Sequence, residues 1–180
     1  MLQSAALARA AGADESRVRS ATDLNAALYA LAMRESDPAA IMAEGKRIMG
    51  AAIDADASLS VSDKAEARKG MDRALAELTS PWFRTFLGLD PAAFLGKLRM
   101  PVLALNGSRD LQVPANENVA GIEAALKSAG NTGYRLIQMD GLNHLFQHAT
   151  SGLPEEYGKL TGTFAPEALA AIRDFVLSAR

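Results

Sequence analysis

Asp110 and His144 are the residues whose types and setting best suit chemistry. Asp110 closes the run Pro101-Val102-Leu103-Ala104-Leu105-Asn106-Gly107-Ser108-Arg109-Asp110, an apolar strand-like stretch that stops at a glycine. His144 closes a second strand-like run, Tyr134-Arg135-Leu136-Ile137-Gln138-Met139-Asp140-Gly141-Leu142-Asn143-His144. An aspartate beside a histidine orients the imidazole and stabilises its protonated form. The histidine then serves as a general base toward a hydroxyl. The pair would supply the last two members of a nucleophile–acid–histidine triad in that chain order. The first member has no matching motif, because no Gly-x-Ser-x-Gly occurs in the 180 residues.

Other residues read less sharply. Asp110 taken singly is an ordinary turn residue after Gly107, and its pairing with His144 is what favours the triad. Ser108 is close to the acid, but it sits in the acid turn rather than on a strained strand-to-helix elbow. Asp140 precedes Gly141 and reads as a turn former. His144 and His148 are the two histidines of the chain. A metal site would need carboxylate partners in a ligand motif, which is not apparent. Gly130 and Gly133 lack the spacing of a phosphate loop. The expectation is therefore no metal and no cofactor. Trp82, Phe83 and Phe86 could line an acyl pocket, although apolar residues at helical spacing more often pack a core.

The elements that must position the pair follow from caps and periodicity. Residues 1–98 read as helices, rich in Ala, Leu, Met and Glu with few β-branched residues. Asp14 or Ser16, Asp37-Pro38, Ser60 to Asp63, Ser80-Pro81 and Asp90-Pro91 mark helix starts. The third of these is followed by Ala65, Met71, Leu75 and Leu78 as one helical series. From Pro101 the grammar becomes strand, a helix from Pro114 to about Ser128, then strand. That is one βαβ unit with parallel strands. A polar loop with Gly152 and Pro154 follows, then a last helix from Pro166 carrying Leu169, Ile172, Phe175 and Val176. Two parallel strands leave both edges unpaired and are not stable as an isolated sheet. The chain's helices, a second copy or another strand-bearing segment must shield them.

Composition sets bounds. A net charge of -2 gives no electrostatic reason to expect nucleic acid or an anionic membrane as partner. With no cysteine, disulfides, thiolate metal sites and a cysteine nucleophile are excluded. The first residues lack a basic region ahead of an apolar core, so no signal peptide is read there, and the expected location is cytoplasmic.

Three stretches carry a family likeness: Ser80-Pro81-Trp82-Phe83-Arg84, the run from Pro101 through Asp110 to Leu111-Gln112-Val113-Pro114, and Gly141-Leu142-Asn143-His144-Leu145-Phe146-Gln147. Together they resemble the C-terminal half of α/β-hydrolase-fold proteins, and they are most similar to the serine aminopeptidase-like and dienelactone-hydrolase-like esterases. The resemblance implies an α/β class chain with an incomplete α/β-hydrolase fold, mostly helical with a short parallel β-pair. Residues 1–98 would be a helical cap-like region and 99–180 the C-terminal core segment. It implies Asp110 as triad acid and His144 as triad base. Asn106-Gly107 would be the turn that delivers the acid, and Gln112-Val113-Pro114 the start of the helix after it. The first strands, the nucleophile elbow and the oxyanion loop of that family have no counterpart here. The function implied is a truncated ester or peptide hydrolase, inactive alone, with Met1 an internal methionine of a longer frame. The alternatives are a subunit of a split serine hydrolase and a non-enzymatic assembly or binding module. The partners expected are a second copy of the chain or an N-terminal hydrolase fragment, with no nucleic acid and no membrane.

Overall fold

A computed structural model describes residues 2–179. Ten helices and two strands run through them, so the chain is mostly helical with one short parallel sheet. They form two compact units. One holds Glu15–Leu89, and the other holds Leu2–Asp14 together with the chain from Asp90 onward. The first helix, α1 (Leu2–Ala10), belongs to the second unit.

The helical unit contains α2 (Glu15–Arg34), α3 (Pro38–Ala55), α4 (Val61–Lys69), α5 (Met71–Leu78) and α6 (Pro81–Leu87). Local chemistry sets the starts. The Asp37 carboxylate accepts from the Ala39 N–H, with Pro38 in the first turn of α3. Ser60 and Asp63 form a reciprocal capping box at α4. The apolar faces then meet in one cluster of Leu28, Leu31, Ala32, Ile41, Leu75 and Leu78. Each leucine or isoleucine among them contributes about 1.5–3 kcal/mol when fully buried. The single helical series expected after Ser60 is in fact two helices. The chain breaks at Gly70, whose N–H reaches back to the Ala67 and Arg68 carbonyls. The reason lies in burial: α4 buries none of its residues, while α5 buries Met71, Leu75 and Leu78. A change of direction at Gly70 lets the apolar triad reach the core while α4 stays on the surface.

The second unit continues with α7 (Pro91–Leu95), β1 (Val102–Gly107), α8 (Ala115–Ser128), β2 (Tyr134–Met139), α9 (Pro154–Tyr157) and α10 (Pro166–Ser178). β1 and β2 are parallel, in register from Val102 opposite Tyr134 to Gly107 opposite Met139. α8 crosses between them and packs on both, α7 packs on α8, and α10 meets β1. Asn131 fastens the strand starts. Its Nδ2 donates to the Leu98 and Met100 carbonyls at 3.2 and 3.0 Å, and its Oδ1 accepts from Gly133 N–H at 2.8 Å. Met139, Leu142, Ala165 and Ala168 form the local core, with Leu105, Ile137 and Phe146 against it. Among the described residues no third strand pairs with the sheet, and no helix is long and apolar enough to cross a membrane.

Candidate active site

β1 and β2 end side by side, and their ends are joined before the acid appears. Ser108 N–H donates to the Met139 carbonyl at 2.8 Å, and Arg109 N–H donates to the Leu142 carbonyl at 2.9 Å. The approach is so close that a Cβ on Gly107 would collide with the Leu142 carbonyl, which is why glycine stands there. The next turn brings Asp110 round, with its N–H on the Gly107 carbonyl at 3.1 Å.

The Asp110 carboxylate is buried, and both of its oxygens are used. Oδ1 accepts from the N–H groups of Gln112 and Val113 at 2.9 and 2.8 Å. Oδ2 accepts from Asn106 Nδ2 at 3.2 Å and from His144 Nδ1 at 3.0 Å. A buried carboxylate is stable only when hydrogen-bonded in this way. The Asp110 side chain is 6% exposed and that of His144 38%, so the acid is sealed while the imidazole reaches solvent. With an ionised carboxylate, which only accepts, this contact requires the proton on Nδ1. The lone pair of the neutral ring is then on Nε2. Thus the two residues singled out in the sequence, thirty-four positions apart, meet through their side chains.

The remaining candidates go elsewhere. Ser108 Oγ donates to Asp140 Oδ1 at 3.1 Å and accepts from Gly141 N–H at 2.8 Å, so it staples the two turns together. His148 Nε2 pairs with Glu167 Oε1 at 2.8 Å on the surface. No group of three potential ligands that could hold a metal ion occurs among the described residues. An open hollow of about 390 Å³ lies beside His148, lined by Lys159, Phe164 and Pro166 among others, and neither Asp110 nor His144 lines it. Trp82 stacks on Phe86 with ring centroids 5.5 Å apart, and Phe83 meets Tyr29 edge-on at 5.9 Å. Phe83 packs on the helical core, while Trp82 and Phe86 are exposed.

No family model matches this chain, and neither a curated protein nor a solved structure shows significant similarity to it.

The hydrogen-bonding roles of three supporting residues escaped the sequence reading. Asn106 lies within β1 rather than in the turn after it. Its amide also donates to the Val113 carbonyl at 3.0 Å, so it closes the acid loop from below. A polar residue four before the acid in an otherwise apolar strand was the available signal. Asn143, next to the histidine, is completely buried. Glu156 secures the following loop: its carboxylate accepts from the N–H groups of Thr150, Ser151 and Gly152 and from Ser151 Oγ. Those bonds hold its pKa down at about 2, with the Thr150 N–H the largest cause. Gly152, at φ 74°, lies so close to the Arg109 carbonyl that a Cβ there would collide with it. Tyr157 OH accepts from Gln112 Nε2 at 3.3 Å. The loop fixed by Glu156 therefore packs directly against the loop that presents Asp110.

Proposed function

We propose that Asp110 and His144 are the acid and base of a serine-hydrolase-type site acting on esters or peptides. The observation that carries this reading is the sealed Asp110 carboxylate holding one edge of a solvent-reaching imidazole at 3.0 Å. In the reaction, a hydroxyl oxygen attacks the substrate carbonyl while His144 Nε2 takes its proton. The imidazolium, stabilised by Asp110, returns that proton to the leaving alcohol or amine as its bond to the carbonyl carbon breaks, and water, deprotonated by the same Nε2, then displaces the acyl group from the hydroxyl oxygen. Asp110 stays ionised throughout. The hydroxyl and the oxyanion donors come from outside these 180 residues, because no Gly-x-Ser-x-Gly occurs in them and Ser108 is engaged with Asp140 and Gly141. Residues 1–180 alone are inactive in this reading.

The supplier we favour is a strand-bearing hydrolase segment on a partner chain. Two features support it. The sheet has two strands with both outer edges unpaired, and α10 leaves Leu169 54% and Val176 62% exposed. An unpaired edge is completed by another strand, and an exposed apolar stripe by an apolar surface. Self-association of the chain is the competing outcome, and light scattering on the pure protein distinguishes the two.

Activity is tested with p-nitrophenyl esters and a fluorophosphonate label, on the chain alone and mixed with a segment carrying the missing strands and elbow. Background hydrolysis alone, turnover on mixing, and loss of that turnover in His144→Ala support the proposal. Robust turnover by the chain alone with labelling of one of its own serines contradicts it.

A further inference from the structure

The turn that carries His144 is folded around a single buried carboxamide. Asn143 is 0% exposed, the lowest value of any buried polar residue described. Its Oδ1 accepts from the N–H groups of Leu145 and Gln147 at 2.9 and 3.0 Å. Its own N–H donates to the Gln147 carbonyl at 2.9 Å, and its carbonyl accepts from Phe146 N–H at 3.0 Å. Nδ2 donates to Gln147 Oε1 at 3.4 Å. His144 is the second residue of this closed turn. The turn forces Phe146 to φ 55°, a left-handed conformation that bulky side chains avoid. Phe146 is held in it by Ala165 N–H, which donates to its carbonyl at 2.8 Å, and by its ring, stacked on Phe164 with centroids 5.1 Å apart. Strained backbone persists only where its surroundings over-determine it.

The bond between the His144 ring and Asp110 cannot do this. It is one contact made by a side chain that is 38% exposed. The backbone must already present the ring at the right angle.

We infer that Asn143 is a positioning residue: its carboxamide holds the 143–147 turn, with Phe146 left-handed, in the form that aims Nδ1 of His144 at Asp110. The purpose of that aim rests on the acid–base reading above, but the aim itself is measured without turnover.

The test uses the full chain labelled with ¹⁵N-histidine, in long-range ¹H–¹⁵N spectra at a pH where the ring is neutral. In the wild type His144 is the Nδ1–H tautomer. Asn143→Ala removes the side-chain acceptor, and the Nδ1–H share falls at least twofold. Asn143→Asp keeps an oxygen for both N–H groups and keeps the wild-type tautomer. Phe146→Gly adopts the left-handed conformation without steric cost and also keeps it. A wild-type tautomer in folded Asn143→Ala overturns the inference, as does its loss in folded Asn143→Asp. Where Asn143→Ala does not fold, Asn143→Asp and Phe146→Gly carry the test. Loss of the tautomer in Phe146→Gly would assign the turn to the ring stack and also overturn the inference. Absence of turnover on mixing, with the tautomer pattern as expected, would remove the hydrolase reading and leave the role of Asn143 standing.

Discussion

In the helical unit the least exposed side chains are Val18, Ala32, Ile41 and Leu75, whereas the unit built on β1 and β2 buries Asn106, Asp110, Asn131 and Asn143 as well as apolar residues. All the buried polar side chains described fall in the second unit. Three of the four surround His144 or its partner, and the fourth ties the strand starts together. The difference is one of tolerance. Apolar burial is non-directional and survives a change of shape of about the same volume. Polar burial requires every donor and acceptor to find its partner, and a lost partner costs about 1–3 kcal/mol. A core of leucines stabilises a fold, while a core of amides and carboxylates fixes angles. The second unit has the smaller apolar cluster, and three of its four buried polar side chains bear on one imidazole.

Gly107→Ala drives a Cβ into the Leu142 carbonyl, where backbone must move, and should destabilise the second unit by about 4 kcal/mol or more. Chemical denaturation followed through the amides of β1 and β2 measures it. A cost under about 1 kcal/mol would show that the strand ends are not welded as described. Leu75→Ala leaves a cavity at a fully buried site of the helical unit and should cost about 3 kcal/mol. It should leave the His144 ring resonances unchanged. Movement of those resonances would mean that the two kinds of core are not separable.

Glu156 gives a local, pH-dependent effect. Its pKa is held at about 2 in the fold against an ordinary 4.5, so the ordering of residues 150–152 that it provides is complete above pH 4.5. That ordering falls away as the pH drops through about 2. Glu156→Gln should therefore speed amide exchange of Thr150, Ser151 and Gly152 at neutral pH. It should also remove the acid dependence of their protection. Unchanged exchange would detach this loop from the acid loop it packs against. The smallest effect belongs to the helical surface. The Lys46–Asp72 pair is 2.6 Å apart but exposed on both sides, and Lys46→Ala should cost less than about 0.5 kcal/mol.

Much of the fold was legible because its signals are local. Asp37 and Asp90 cap the helices that begin at the following prolines, and the runs from Val102 and Tyr134 are strands. The Asp110–His144 contact was legible because parallel strands of one βαβ unit end on the same side. The break at Gly70 was not. A helical series reads the same through a glycine, and only the mismatch between an exposed α4 and a buried α5 forces the bend. Nor were the partners of Asn106, Asn143 and Glu156 legible. An asparagine or glutamate in a sequence declares donors and acceptors, but which backbone groups come within 3 Å depends on how the loops are brought together. The family resemblance implied that Asn106 stands in the turn that delivers the acid, whereas it ends inside the strand with its amide on the acid.

In the proposed site a sealed Asp110 carboxylate sets the tautomer of His144 and leaves Nε2 free as a base. The ¹⁵N-histidine spectrum of wild type beside Asp110→Asn tests it most directly. In the wild type, Nδ1 of neutral His144 should carry the proton. In Asp110→Asn the side-chain oxygen stays with the Gln112 and Val113 N–H groups, and the new amide gives up the bond from Asn106 Nδ2 and donates toward the ring. Nδ1 then becomes an acceptor and the proton should move to Nε2. That reversal is expected if the carboxylate sets the tautomer. The same tautomer in both proteins, or a wild-type ring with its proton on Nε2, would contradict it.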